Sequence, residues 1–169
     1  MNKKILLVDD ERSIRESLSK VLRAEGYEIV LAENGQEAIE KHEAEHVDLL
    51  LMDIGLPVKD GWTALAWLTA VDPLLPVIII TGHWKESERA AASRADVLME
   101  KPLDVPLLFQ IMQELLQESP EERARRIHNP GSGFRHVRCD GTEFCERLQK
   151  GYTTPYACGE RSVPTDQCV

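Results

Sequence analysis

No cysteine occurs before position 139, no apolar run approaches the length of a membrane span, and no basic stripe crosses the first two thirds of the chain. Each absence removes a class. A membrane helix needs about 20 predominantly apolar residues in succession. The opening run Ile5-Leu-Leu-Val8 is too short, and too soon followed by acids, for a signal peptide, so a cytoplasmic protein is expected. Cys139, Cys145, Cys158 and Cys168 are spaced C-x5-C, C-x12-C and C-x9-C. Without C-x-x-C a zinc site is poorly supported, even with His128 and His136 nearby, and four free thiols are expected. There is no G-x-x-x-x-G-K-[ST] loop, no helix-turn-helix pattern, and no cyclase or histidine-kinase signature.

Positive charge is scarce in one part only. Residues 1–119 hold 12 Lys/Arg against 22 Asp/Glu, and residues 120–169 hold 8 against 7. An acidic body does not suit nucleic acid, and neither nucleic acid nor a membrane is expected as a partner. Residues 120–169 contain seven Leu, Ile, Val or Phe, 14% of that length, too few to build a core unaided. The break near Pro120 divides the chain into a domain, 1–119, and an extension, 120–169, read as a linker or docking segment, or as partly disordered. Within it, Pro120–Arg126 either extends the last helix or starts a short one, and Phe134, Phe144, Tyr152 and Tyr156 are candidates for docking.

The body carries five apolar runs: Lys4–Val8, Tyr27–Leu31, Val47–Met52, Leu75–Ile80 and Val97–Met99. Between them lie helical stripes: Ile14, Leu18, Val21 and Leu22; Ala64, Leu65, Leu68 and Val71; Leu108, Ile111, Met112 and Leu115. Gly26 stands where a helix C-cap would fall. The segments 34–45 and 84–94 are weaker, the latter weakest. Continuously apolar strands alternating with helices imply βα units and a parallel sheet covered on both faces. The expected fold is α/β: a flavodoxin-like, doubly wound, five-stranded parallel sheet, (βα)5, of strand order 2-1-3-4-5.

In such sheets ligands bind at the carboxyl ends of the strands. The first strand ends in Asp9-Asp10, and the third runs four apolar residues into Asp53. Three carboxylates at one rim repel one another unless a cation joins them, and hard oxygen donors suit Mg²⁺, with Mn²⁺ as a substitute. The fourth strand ends in Thr81-Gly82, a hydroxyl followed by a residue without a side chain. The fifth leads to Lys101-Pro102, which brings an ammonium to the same rim. A carboxylate between a divalent cation and a lysine, with a hydroxyl beside it, is equipped to receive a phosphoryl group, with Asp53 as nucleophile. Asp-Asp after a strand also reads as a helix cap, and Thr-Gly or Lys-Pro as simple loops. The coincidence of four strand ends favours the chemistry.

These residues, Val8-Asp9-Asp10-Glu11, Met52-Asp53-Ile-Gly-Leu-Pro57, Asp60-Gly61, Ile80-Thr81-Gly82 and Lys101-Pro102, resemble the response-regulator receiver domain of two-component signalling over about residues 3–118. The resemblance implies phosphorylation of Asp53 by a sensor histidine kinase or a phosphotransfer protein. It implies Mg²⁺ on Asp10, Asp53 and the Gly55 carbonyl, with Asp9 acting directly or through water. Thr81 and Lys101 would contact the phosphoryl group, and Pro57 and Gly61 would shape the loop. Two positions depart from the family pattern: Leu98 stands where an aromatic residue is usual, and Lys59 where methionine is common. A readout surface is expected around Arg89, Arg94, Val97, Leu98, Gln110 and Glu114, formed by segment 84–94, the fifth strand and the last helix, for a downstream protein or a second copy. His83 borders the site.

The preferred reading is a stand-alone phosphoacceptor that signals through protein contacts and is not an enzyme beyond its own phosphorylation and dephosphorylation. The alternatives are a phosphorylation-independent binding module, or a Mg²⁺-dependent phosphohydrolase, which would want an acid where Gly55 stands. A flavodoxin-type carrier is disfavoured by the acidic loop after the first strand.

Overall fold

A computed structural model of the chain describes residues 2–56, 61–82, 90, 93–128, 134–137, 143–146 and 155–157. Pro57, Lys59, His83, Arg89 and most of segment 84–94 lie outside the described residues. The strands are β1 (Lys4–Val8), β2 (Glu28–Ala32), β3 (Leu49–Asp53), β4 (Val77–Thr81), β5 (Val97–Glu100), β6 (Arg135–Val137), β7 (Glu143–Glu146) and β8 (Pro155–Ala157). The helices are α1 (Arg12–Ala24), α2 (Gly35–Ala44), α3 (Gly61–Val71), α4 (Val105–Gln117) and α5 (Pro120–His128).

The expected order 2-1-3-4-5 is present, and every pairing within it is parallel. Alternate residues of each strand feed two cores, because successive side chains leave a strand on opposite faces. Leu6, Val8, Leu50, Met52, Val77, Ile79 and Leu98 face α2 and α3. Ile5, Leu7, Leu49, Leu51, Ile78, Ile80, Val97 and Met99 face α1 and α4. Burying each such side chain contributes about 1.5–3 kcal/mol, so the central strands anchor the fold. Val21 and Val71, which fall on the helical stripes, are nonetheless exposed.

Local chemistry sets the helix ends. Gly26 takes φ +90, donates to the Arg23 carbonyl, and is followed by Tyr27 donating to Leu22, which closes α1 in a Schellman turn. Asn34 caps α2 through the Glu37 N–H at 2.9 Å, and Asp104 caps α4 through Leu107 at 3.0 Å. Ser119 and Glu122 cap α5 reciprocally: Ser119 N–H donates to Glu122 and Glu122 N–H to the Ser119 hydroxyl. Pro120–Arg126 therefore starts a separate helix.

The sheet does not stop at β5. β6 pairs with it in parallel, Leu98 opposite His136, and β7 and β8 follow antiparallel. α5 is fastened beneath the sheet by Asp96, buried just before β5. Arg123 Nη2 lies 2.7 Å from Asp96 Oδ2 and Arg126 Nη1 2.6 Å from Oδ1, while Asp96 also accepts the Val77 N–H. Glu118 takes two hydrogen bonds from Arg126, at 2.7 and 2.6 Å. Those bonds hold its carboxyl below its ordinary 4.5, although burial acts the other way. Its contribution to docking α5 is full above pH 4.5 and lost as pH falls through the lower folded value. Amide protection over 120–128 is therefore expected to drop at lower pH than 4.5 while β1–β4 stay protected; hydrogen exchange corrected for intrinsic rates checks this.

Candidate functional site

β1 and β3 are neighbours, with Val8 opposite Met52, so the residues that follow them meet at one rim. Asp9 is 1% exposed, Asp53 7% and Thr81 2%, whereas Asp10 is open to solvent. Oxygens of Asp9, Asp10 and Asp53 lie within 4.8 Å of one another. The ammonium of Lys101 reaches in from the end of β5, 2.5 Å from Asp53 Oδ2 and 3.2 Å from Asp9 Oδ2. Lys101 N–H also donates to the Thr81 carbonyl at 2.8 Å, so hydroxyl and ammonium are carried by adjoining strand ends. The Lys101–Pro102 peptide bond is cis.

Asp9 is no helix cap. α1 begins after Glu11, whose side chain caps nothing, and Asp9 Oδ1 instead accepts the Glu11 N–H at 2.8 Å. Asp53 Oδ1 is likewise committed, accepting the Gly55 N–H at 2.8 Å. Burial pushes the Asp9 carboxyl up, against the Glu11 N–H and the charge of Lys101, which pull it down. Burial also works against the charged form of Lys101, but the hydrogen bond and charge of Asp53, then Asp9, outweigh it and hold the ammonium above its ordinary 10.5.

Three carboxylates against one ammonium leave a net −2 at the rim when all are ionised. A divalent cation on hard oxygen donors balances that charge, so the donor set fits Mg²⁺. Titrating Mg²⁺ is expected to add about 2.7 kcal/mol of stability at 100-fold over Kd and so to raise Tm, and Asp10→Asn to weaken that gain while raising the metal-free Tm. Differential scanning fluorimetry with and without EDTA checks both.

Gly61 opens α3 against the Ile54 backbone: a Cβ there would stand 3.1 Å from the Ile54 Cα and carbonyl oxygen, which accounts for glycine. At Gly82 a Cβ would meet nothing within 4 Å among the described residues. Leu98, from the switch position, is fully buried in the α2/α3 core, and Val97 is buried in the other. Arg94, at φ 63, and Gln110 and Glu114 are exposed, with Glu114 bound by Arg135 at 2.8 Å. Sequence reasoning misses Asp96 and Arg123 and weighs His136 only for zinc; an acid directly before an apolar strand is the available signal for Asp96, and the Ser119-Pro-Glu-Glu122 capping pattern marks only the start of α5.

The family model for the response regulator receiver domain matches residues 5–113, and the chain belongs to that family. It is 35% identical over 117 residues to the transcriptional regulatory protein GlrR of Escherichia coli, covering 68% of this chain and 26% of that protein. It is 34% identical over 130 residues to the response regulator MprA of Mycobacterium bovis, covering 75% and 56%. The chain thus spans between about a quarter and just over half of these relatives. A CheY-like receiver from Methanospirillum hungatei superposes with TM-score 0.67 at 31% identity, over 74% of this chain and 98% of that one. TrrA of Thermotoga maritima, solved in complex with Mg²⁺–BeF, superposes with TM-score 0.63 at 33% identity, over 67% and 98%. Receiver domains are signalling modules of two-component systems. Among the described residues no helix is long and apolar enough to cross a membrane.

Proposed function

We propose that this receiver accepts a phosphoryl group on Asp53 from a phosphohistidine of a sensor kinase or phosphotransfer protein, and passes the signal on by changing protein contacts. The single observation that carries the reading is the buried Asp53 carboxylate held 2.5 Å from the Lys101 ammonium beside Asp9 and Asp10. In the transfer an Asp53 oxygen attacks phosphorus, the phosphorus–nitrogen bond of the donor breaks, and the imidazole leaves. The product is an acyl phosphate. Asp9, Asp10 and Asp53, with the Gly55 carbonyl, would hold Mg²⁺, which supplies charge neutralisation for the phosphoryl oxygens. Lys101 moves from the carboxylates to those oxygens, and the Thr81 hydroxyl donates to another. Gly61 keeps the β3–α3 connection close to Ile54. Phosphorylation adds about −1.5 to −2 charge and strong acceptors, enough to bias a two-state element. We assign the chemistry to residues 1–119 and treat 120–169 as an extension attached to them.

An acyl phosphate has a chemical signature that tests this. Acetyl phosphate with Mg²⁺ is expected to give one phosphoryl adduct, removed by neutral hydroxylamine. An adduct resistant to hydroxylamine would place the phosphate on a hydroxyl and refute the proposal; rapid consumption of acetyl phosphate with no adduct accumulating would favour a hydrolase.

A further inference from the structure

β6 brings a polar group to the end of β5. His136 Nε2 lies 2.8 Å from Glu100 Oε1, with the His136 side chain 8% exposed and that of Glu100 14%. Glu100 is flanked twice by the phosphoacceptor machinery. It precedes Lys101 in the chain, and it is the register partner of Thr81 across the β4–β5 pair. Leu98, two residues back on the same sheet face, is sealed in the core and has no polar atom with which to transmit anything. His136 is the residue opposite Leu98, and Phe134, just before β6, packs against the core that holds Leu98. Among the described residues, the part-buried His136–Glu100 pair links the strand end beside the site to residues 134–137.

We infer that His136 is a positioning residue, whose hydrogen bond to Glu100 couples docking of residues 134–137 to the phosphorylation state of Asp53. The inference rests on the phosphoacceptor reading above. With the extension docked, Lys101 sits on Asp53 and Asp9. A phosphoryl group on Asp53 draws both Lys101 and Thr81 away from these positions, and Glu100, between them, moves too. A buried histidine–carboxylate hydrogen bond tolerates little displacement before it is lost. Phosphorylation thus releases 134–137 and uncovers the β5 edge. By reciprocity, breaking the pair favours the phosphorylated arrangement.

The test is hydrogen exchange on the full chain before and after acetyl phosphate with Mg²⁺, with intact mass taken on the same samples. Exchange over 134–137 and 97–100 is expected to rise at least about fivefold on phosphorylation, the low end of site-to-site coupling. His136→Gln keeps a donor and should respond as wild type; His136→Leu fills the space without one and should lose the response. Half-saturation by beryllofluoride with Mg²⁺, read by the bound ¹⁹F resonance, should fall by the same factor in His136→Leu and stay put in His136→Gln. That binding measurement decides the matter even where His136→Leu releases the segment at rest. An adduct with unchanged exchange, or equal beryllofluoride affinity in wild type and His136→Leu, overturns the coupling alone. No adduct at all overturns the phosphoacceptor reading and this inference with it.

Discussion

Replacing Arg123 by alanine is expected to lower the unfolding free energy by about 3–5 kcal/mol, because it breaks a buried ion pair. Asp96 is left with Arg126 and the Val77 N–H, and the Leu74 and Leu75 carbonyls are left without their donor. All five N–H donors of Arg123 have acceptors: the carbonyls of Leu74 and Leu75, both oxygens of Asp96, and Glu118. The side chain is 5% exposed and that of Asp96 3%, so the pair lies away from bulk water. Arg126 would remain on Asp96, but as a single hydrogen bond. Arg123→Lys should recover little, since an ammonium cannot reproduce the planar five-donor fork. Exposed Arg125, two residues on, is the control: alanine there should change stability by less than about 0.5 kcal/mol. Urea unfolding of the three variants decides it. A loss below about 1 kcal/mol for Arg123→Ala would show that α5 is not held to the sheet by this ion pair.

The second large effect concerns Lys101. Lys101→Ala is expected to slow adduct formation at Asp53 on the order of 10²–10³-fold, the range for removing one preorganised charge-stabilising donor. Its ammonium is the single cationic group within hydrogen-bond reach of Asp53 among the described residues. Removing it also leaves Asp9 and Asp53 facing each other, and burial already disfavours the charged form of Asp9. The sign for stability follows from the raised Lys101 value. Its contribution is fully present below 10.5 and is lost as pH rises through the higher folded value, so the variant is destabilised at neutral pH as well. Rates of adduct formation by intact mass, at saturating Mg²⁺, check the kinetic claim. A change smaller than about tenfold would remove Lys101 from the transfer step.

Much of the site was legible because it stands at strand ends. A lone acid after Leu49-Leu-Leu-Met52 is costly without a partner, and that cost pointed to Lys101 before any geometry did. The parallel sheet followed in the same way, from runs apolar on both faces. Two features resisted. The sequence Arg123-Ala-Arg-Arg126 has the composition of a solvated face, and nothing local reveals that Arg123 is buried on Asp96. β6 is three residues long and carries Arg135 and His136; a strand that short shows no periodicity, and its place is given by β5 and not by its own pattern. Both are long-range effects, paired over 27 and 36 residues of chain.

The most direct measurement is intact-mass spectrometry after acetyl phosphate, with Mg²⁺ or EDTA, on the wild-type chain beside Asp53→Asn. One adduct that needs Mg²⁺ and disappears in Asp53→Asn is the predicted result. An adduct that persists in Asp53→Asn, or none on the wild-type chain, would contradict the account.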